Sequence, residues 1–267
     1  MNDWLLAHEL SIRLSFFLGG FVIIALWETV SPCRTRQYSR VLRWSNNLLL
    51  VVLNSVLLRL LFPIAAVGVA LWAEEQGYGL LNVLDWPLWI SLILAVVMLD
   101  MLIYFQHVIF HKVPMLWALH KVHHVDPDYD VTTGARFHPV EIILSMLIKM
   151  IAIVLLGPSA AAVIVFEVLL NSSAMFNHGN ILLPKAVDKC IRFLFVTPDM
   201  HRVHHSRIRQ ETDSNYGFAL SCWDRLFATY REQPEKGQKN MEIGVKGYDD
   251  PKIICRLTGM LRLPFKR

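Results

Sequence analysis

Histidine is concentrated in one stretch of the chain. Five of the 11 histidines lie in HVIFHKVPMLWALHKVHHVDP, which begins at His107. His107 and His111 are four residues apart, so on a helix they lie on one face. In HKVHH, His120 and His124 are also four apart and His123 is three from His120, so one helical turn presents three imidazoles to the same region. Neutral imidazole is a ligand for iron, zinc and copper, and the spacing predicts a metal site.

The same spacing recurs in HRVHH, which contains His201, His204 and His205. Adjacent residues on a helix point about 100° apart, because the helix has about 3.6 residues per turn. The rings of an adjacent histidine pair can therefore reach different ions. With His178 in FNHGN, the chain offers eight or nine candidate ligands, more than one four-coordinate zinc can use. The pattern predicts two metal ions rather than one.

Other polar residues near these motifs could bind a metal or orient its ligands. The candidates are His138, Asp100, Asp213 and Asn180. His138 is either a ligand or only the start of a helix before Pro139. Asp100 lies seven residues before His107 on the same helical stripe and could orient the site, with an ion pair to Arg59 as the alternative. Further acids are ranked only by their nearness to the motifs: Asp126, Asp128, Asp130, Glu141, Glu211 and Asp224.

The composition indicates a membrane protein. Hydrophobic residues make up 54% of the 267, charged residues only 18%, and the mean hydropathy is +0.41. Apolar runs that could cross about 30 Å of hydrocarbon as helices cover residues 12–30, 48–72 and 86–106. A fourth apolar region, residues 140–175, is split by Gly157-Pro158 and predicts a helical hairpin. The expected fold is all-α with four to five spans, the number depending on whether Lys149 finds a partner inside the bundle.

Basic residues predict the orientation of these spans. The first connection contains Arg34, Arg36, Arg40 and Arg43. Residues 73–85 contain two glutamates but no lysine or arginine, so the first connection is expected to be cytoplasmic. Counting the crossings onward places all nine candidate histidines at the cytoplasmic face, which in a bacterium is that of the inner membrane. The first run follows Asp3 and Glu9 and no A-x-A site follows it, so we expect it to remain in the mature protein.

The predicted organisation is a single membrane-embedded domain over residues 1–267. Its segments are residues 1–106 with the first three spans, 107–138 with the first two histidine motifs, 139–176 with the hairpin, and 177–267 with the third motif and a basic amphipathic tail. Residues 107–138 and 177–267 are expected to form a cytosolic, histidine-rich helical cap. The tail, PKIICRLTGMLRLPFKR, predicts either a basic helix on an anionic lipid surface or a helix packed on the cap.

The motifs HVIFH, HKVHH and HRVHH, with DPDYDVTTGARFHPVE and ETDSNYGFALSCWDRLFATY, resemble the fatty acid hydroxylase superfamily, and within it the sterol desaturase branch. The resemblance covers about residues 86–231. It implies a membrane-embedded helical fold, two iron ions held by histidines, and hydroxylation or desaturation of a lipid with O₂ as co-substrate. The family's ligand positions fall on His107, His111, His120, His123, His124, His201, His204 and His205. His178 matches the family's isolated histidine before the last motif, whereas Leu182 stands where some members have a further histidine.

The chemistry of an alkyl C–H bond favours the same class. Acid–base groups and serine or cysteine nucleophiles cannot attack such a bond, whereas a metal centre with O₂ can. The sequence contains no cytochrome b5-like segment, no GxGxxG before a helix and no CxxxxCxxC, so we expect an external electron donor such as ferredoxin, cytochrome b5 or a reductase. A lipid substrate and the membrane are the other expected partners. The formal net charge of +4 requires no nucleic acid.

Two other classes of protein also place histidines in a membrane chain. A haem electron-transfer protein would carry its axial histidines within the bilayer on facing helices, and a metal transporter would carry its ligands near the midplane on broken helices. Neither needs HxxHH triads beyond the ends of the spans. A haem or metal-binding electron-transfer protein, or a transporter without oxygenase activity, is the alternative function.

Overall fold

The computed structural model describes residues 2–84 and 86–266 of the chain. Its first six helices are α1 (Asn2–Ala7), α2 (Glu9–Val30), α3 (Arg40–Leu61), α4 (Ala65–Glu75), α5 (Leu80–Val83) and α6 (Leu88–Lys112). The apolar run over residues 48–72, predicted as one uninterrupted span, is divided between α3 and α4. Pro63 has no N–H for a helical hydrogen bond and disfavours helical backbone at Phe62, which adopts φ −129° and ψ 70°.

The predicted hairpin is formed by two helices that follow the first histidine motifs. The elements here are α7 (Pro114–His124), a 3-10 turn at Thr133–Ala135, α8 (Pro139–Leu156) and α9 (Ala160–Asn177). Gly157 ends α8 with φ 67°, a left-handed conformation that glycine adopts without steric cost. A Cβ atom on Gly79 would lie 2.2 Å from the Gly157 nitrogen, so glycine is required where the α4–α5 connection crosses the hairpin turn.

The remaining helices are short. They are α10 (Lys185–Arg192), α11 (Pro198–His204), α12 (Arg209–Thr212), α13 (Cys222–Leu226), α14 (Gly237–Asn240), α15 (Pro251–Ile254) and α16 (Leu257–Arg262). The basic tail is therefore two short helices separated at Cys255 rather than one long one. Ile254 and Met260 are buried in one cluster with Leu50 of α3 and Val122 of α7. Of the two arrangements predicted for the tail, the structure has the one packed on the protein itself.

The described residues contain five segments that are long and apolar enough to cross a membrane. They are Glu9–Val30, Arg40–Val83, Leu88–Lys112, Pro139–Leu156 and Ala160–Asn177. The prediction of an all-α, multi-pass integral membrane protein is confirmed. Its orientation in the membrane stays a prediction.

Lys149 has the partner that its position inside the bundle requires. Its Nζ donates to Glu167 Oε1 across the hairpin at 2.6 Å, and Arg13 NH1 of α2 lies 3.2 Å from Glu167 Oε2. A lone cation would be costly at this depth, whereas a paired one is tolerated. The second arm of the predicted hairpin and the first span are thereby joined by one ion network.

A second buried ion network fastens α3 to the segment that follows α7. Arg43 is fully buried and donates through Nε and NH2 to both carboxylate oxygens of Asp126, at 2.8 and 2.7 Å. Its NH1 donates to Asp130 at 2.5 Å, and Asp128 accepts the backbone N–H of Gln37 at 2.6 Å. These acids, considered from the sequence as neighbours of a metal, instead hold residues 126–130 against the start of α3.

Candidate metal centre

Nine buried histidines form two groups, in each of which the potential ligand nitrogens lie within 4.8 Å of one another. The five-histidine group consists of His107, His111, His120, His124 and His204, and the four-histidine group of His123, His178, His201 and His205. All nine were singled out from the sequence. Their role as ligands of two metal ions stays a prediction, but the structure brings them together across more than 90 residues of chain.

The two HxxHH motifs contribute to the groups in opposite proportions. On α7, His120 and His124 belong to the five-histidine group, while His123 belongs to the four-histidine group. A helix places residues four apart on one face and turns by about 100° between neighbours, so the adjacent pair His123-His124 diverges. The three histidines of the motif on α11 are divided between the same two groups in the opposite proportion.

On α11 and at its end, His201 and His205 belong to the four-histidine group and His204 to the five-histidine group. Each motif therefore supplies two rings to one group and one ring to the other. His107 and His111, stacked on α6, complete the five-histidine group, and His178, just after α9, completes the four-histidine group. Both groups depend on the same two short helices.

The protonation of two rings in the five-histidine group follows from their backbone partners. His107 Nδ1 lies 2.8 Å from the carbonyl oxygen of Tyr216, and His204 Nδ1 lies 2.7 Å from that of Ser214. A carbonyl oxygen only accepts, so both Nδ1 atoms carry the proton and both Nε2 atoms carry a lone pair. These two Nε2 atoms face each other at 2.9 Å. Burial lowers the pKa of His204 well below its usual value, so a proton is a poor bridge and a metal ion is a good one.

The four-histidine group is arranged around His178. Its Nδ1 donates to the Ala174 carbonyl oxygen at 2.7 Å, which leaves the Nε2 lone pair free. That Nε2 lies 3.0 Å from His123 Nε2 and 3.2 Å from the Nε2 atoms of both His201 and His205. Burial lowers the pKa of His178 to about 4, so the ring is neutral at physiological pH. Four imidazole nitrogens at these separations can form a donor set for a cation.

The distances fit a metal with several imidazole ligands. Metal–nitrogen bonds of about 2.1 Å place neighbouring ligand nitrogens about 3.0 Å apart when they meet at right angles. The Nε2 atoms of His111 and His124, like those of His107 and His120, are 3.1 Å apart. Neutral imidazole nitrogens suit iron, zinc and copper, and the residues of both groups fit such an ion.

A carboxyl group and an aromatic ring contact rings of the two histidine groups. Glu141, in the first turn of α8, is hydrogen-bonded to His120 Nδ1 at 2.6 Å. Phe137 stacks on His123 with the ring centroids 4.5 Å apart. Asp213 is the nearest carboxylate to His111, but its Oδ1 lies 3.5 Å from His111 Nδ1, too far for a direct hydrogen bond. Carboxylate partners of this kind hold the tautomer and orientation of a ligating histidine.

Asp100 holds a loop rather than a histidine. Its carboxylate accepts the backbone N–H groups of Ala219 and Leu220, at 3.2 and 3.1 Å, and Trp223 Nε1 at 2.8 Å. None of these contacts reaches either histidine group, and they take the place of the suggested ion pair with Arg59. A carboxylate near the end of an apolar run has the same sequence signature whether it faces a ligand or a loop.

His138 and Asn180 also lie outside both groups. His138 caps α8, because its Nδ1 accepts the Val140 N–H at 3.2 Å, as expected for a residue that only marks a helix start. Asn180 is paired with the backbone of Arg34 in the first connection, accepting its N–H at 3.0 Å and donating to its oxygen at 2.9 Å. Asn180 thus joins the segment after His178 to the segment between the first two spans.

Sequence reasoning missed the backbone carbonyls that set the tautomers. Those of Tyr216, Ser214 and Ala174 accept from ligand rings, and every residue offers such a group, so composition carries no signal for them. Only Ala174 could have been anticipated, because it lies four residues before His178 on α9.

A comparison with known families identifies the protein's family. The family model for fatty acid hydroxylases matches residues 92–229, slightly more than half of the chain and nearly the range that carries the resemblance in the sequence. The chain belongs to the fatty acid hydroxylase family. All nine grouped histidines of this fatty acid hydroxylase family member lie within the matched residues.

Several curated proteins are similar to this member of the fatty acid hydroxylase family. The ornithine lipid hydroxylase OlsE of Rhizobium tropici is 24% identical over 266 residues, which cover 94% of this chain and 75% of that protein. The alkylglycerol monooxygenase of Homo sapiens is 30% identical over 169 residues, 60% of this chain and 35% of that protein. The alkylglycerol monooxygenase of Xenopus tropicalis is 30% identical over 138 residues, which cover 50% of this chain and 29% of that protein. No solved structure matches. The predicted class, an oxidoreductase of this family, is confirmed.

Proposed function

We propose that the protein is a membrane-bound oxygenase with two iron ions, one per histidine group, which uses O₂ to modify an alkyl position of a lipid. The observation that carries the proposal is the pair of buried Nε2 lone pairs of His107 and His204, 2.9 Å apart, within a family of lipid oxygenases. Two neutral nitrogens in this position repel each other unless a cation lies between them.

Iron held by the two groups would supply activation of O₂ for attack on an alkyl C–H bond, chemistry that no side chain provides. The residues of the chain supply the geometry. His107, His178 and His204 present their Nε2 atoms because backbone carbonyls hold the opposite ring nitrogen. Glu141 holds His120 in the same way. Burial of all nine rings excludes water from the site.

Hydroxylation is the favoured reaction. The two kinds of relative are named for adding oxygen to lipids, an ornithine lipid in one case and an alkylglycerol in the other. We therefore propose a membrane lipid with an aliphatic chain as substrate. Because His107 and His111 lie at the end of the largely apolar helix α6, such a lipid keeps its chain in hydrocarbon while one carbon reaches the histidines.

We propose that the histidines face the cytoplasm and that a separate protein supplies the electrons. The arginines between α2 and α3 and in the first turn of α3 support this orientation through the positive-inside rule. The chain carries no flavin, haem or iron–sulfur motif of its own, which supports ferredoxin, cytochrome b5 or a reductase as donor. No observation calls for a nucleic acid partner.

A haem protein is the second candidate, because histidines are also haem ligands. An axial pair needs room for the porphyrin plane between its two rings, whereas neighbouring Nε2 atoms such as those of His107 and His204, or His178 and His201, are only 2.9 and 3.2 Å apart. Elemental analysis of anaerobically purified protein should find about two equivalents of iron. Stoichiometric haem with a Soret band would contradict the proposal.

The reaction itself is tested with ¹⁸O₂. Cells that express the chain should accumulate a lipid that carries one labelled oxygen, or a lipid that has lost two hydrogens if the enzyme desaturates. His123→Ala and His204→Ala each remove one ring from a different group and leave the five apolar segments unchanged. Both variants should insert in the membrane and lose the product. Full turnover by both would show that the histidines are structural.

A further inference from the structure

The histidine-rich region carries exposed apolar side chains on one surface. Phe193 is 82% exposed and Leu226 is 67% exposed, and three more apolar residues beside them are also exposed. The apolar patch consists of Phe193, Leu194, Phe195, Leu226 and Phe227. Side chains of this size are not normally presented together to water, so a contiguous group of them marks an interaction surface.

The two segments of the apolar patch are held together as one surface. The Ser221 N–H donates to the Leu194 oxygen at 3.0 Å, and the Val196 N–H donates to the Ala219 oxygen at 2.9 Å. Arg225 NH2 donates to the Arg192 oxygen at 2.8 Å. Residues 193–195 therefore lie beside the segment that leads into α13, and the patch does not depend on a flexible arm.

The apolar patch continues the lipid-facing surface of α6. The Phe227 ring lies 4.9 Å from that of Phe105, an exposed residue within the span Leu88–Lys112. Trp223 Nε1 donates to Asp100 at 2.8 Å. Asp100 lies seven residues before His107 on α6, which is about 10 Å along the helix axis. Around Trp223, Leu220 and Cys222 pack in one cluster with Val97 and Met101 of α6. The segment before the patch therefore lies beside the apolar part of the span.

Exposed basic side chains lie on the helices that precede and carry the apolar patch. They are Lys185 and Lys189 on α10 and Arg225 on α13. The acids of the same two helices, Asp188 and Asp224, are buried, the former in an ion pair with Arg192 at 2.8 Å. Long basic side chains can extend from an apolar surface to anionic headgroups, which is the charge pattern of an interfacial membrane anchor.

We propose that the apolar patch is embedded in the lipid leaflet on the histidine side of the membrane, with Lys185, Lys189 and Arg225 at anionic headgroups. The histidine-rich region is then anchored to the bilayer beside α6 as well as through the five spans. Its partner is the leaflet itself rather than a second copy or an electron-donor protein. This anchoring does not depend on the proposed reaction.

Spin labels at single cysteines measure the surroundings of the patch directly. In the full chain, with the exposed Cys190 and the partly exposed Cys222 replaced by serine, a nitroxide is attached at Phe193→Cys or Leu226→Cys. The protein is placed in nanodiscs of phosphatidylethanolamine and phosphatidylglycerol. Lys239→Cys, on the exposed surface of α14, is the control for water, and Ile151→Cys, on the exposed face of α8, is the control for hydrocarbon.

We expect labels at residues 193 and 226 to collide with O₂ and to be shielded from a water-soluble nickel complex. The ratio of the collision rate with O₂ to that with the nickel complex should be several-fold higher at these two positions than at residue 239. It should be close to the ratio at residue 151. A ratio like that at residue 239 would place the patch in water and overturn the proposal. Shielding from both reagents would indicate a protein partner or a second copy and would overturn it as well.

Discussion

The two histidine groups differ in how firmly the protein holds them without a metal. In the five-histidine group, the Nδ1 atoms of His107, His120 and His204 are hydrogen-bonded to Tyr216, Glu141 and Ser214, whereas those of His111 and His124 have no hydrogen bond within the described residues. In the four-histidine group only His178 has such a partner, and the buried Nδ1 atoms of His123, His201 and His205 have no hydrogen bond within the described residues. A ligand whose second nitrogen is held is oriented before the metal arrives. The four-histidine group therefore depends more on its metal.

Removal of His178 should have the largest effect, because its Nε2 lies beside all three other Nε2 atoms of its group. We expect His178→Ala to lower turnover by more than about 100-fold, beyond the usual effect of changing a residue that only orients a ligand. The measurement is product formed per enzyme in membranes. His138→Asn is the matched control, since it removes an imidazole outside both groups and keeps a good helix cap. Equal losses in the two variants would refute the assignment of His178.

The division of neighbouring histidines between groups makes a sharper prediction. His123→Ala and His124→Ala alter adjacent residues of α7, yet each should cost a different group one ligand. We expect each variant to lose about one metal equivalent of two, and the double variant to lose both, because each substitution removes a ring from one group only. Metal analysis with Mössbauer spectra of the iron that remains distinguishes the two sites. Identical residual spectra would show that the groups are not separate.

A single substitution tests how the hydrogen bond to His120 stabilises the five-histidine group. Glu141→Gln keeps the size of the side chain but removes the carboxylate that holds His120, and should lower metal affinity or activity by about 10- to 100-fold. Asp213→Asn is the comparison, because Asp213 lies 3.5 Å from His111 Nδ1 and should cost less. If the asparagine variant proves the more damaging, the ranking of the two carboxylates is wrong.

A chelator should remove the two metals in sequence. Only one ring of the four-histidine group has a hydrogen-bonded Nδ1, so its metal should dissociate first. The measurement is the amount of iron released over time. Glu141→Gln should bring the two release rates closer together by speeding the loss from the five-histidine group. A single release phase in the unmodified protein would remove the difference between the groups.

Acid should destabilise the metal-free protein. Burial lowers the pKa of His178 to about 4 and that of His120 to about 3, while an unfolded histidine titrates near about 6.5. Below about pH 6.5 the unfolded chain binds more protons than the folded one. The free energy of unfolding therefore has its full value above about pH 6.5 and decreases as the pH is lowered, until the folded rings also titrate. The slope should be about 1.4 kcal/mol per pH unit for each such ring. Chemical denaturation in detergent between these limits measures it, and a stability independent of pH there would contradict the burial of neutral rings.

Local patterns in the sequence were sufficient for the spans and the histidine motifs. Apolar length predicts a membrane helix, and the Gly157-Pro158 pair ends one helix and allows the next to begin. These features depend on residues within a single helix or at its ends, which are close in sequence. The break at Pro63 has the same local origin, although the apolar run conceals it.

Contacts between distant residues needed the tertiary structure. His107 meets His204 across 97 positions, and Arg43 meets Asp126 across 83. The sequence did not decide which acid contacts one of the grouped histidines. Glu141 contacts His120, whereas Asp100 holds a loop. A carboxylate has the same local pattern in either role, because the element that packs against it decides its partner.

The sequence by itself determined that nine imidazoles would lie near the ends of apolar helices, with adjacent pairs pointing apart, because helical spacing follows from bond geometry alone. Only the tertiary structure decided which rings share a group and which stand outside, as His138 does. It also decided the tautomers, through carbonyl groups such as that of Tyr216. The direction of a lone pair depends on a hydrogen bond to a distant segment, and that bond exists only after the helices have packed.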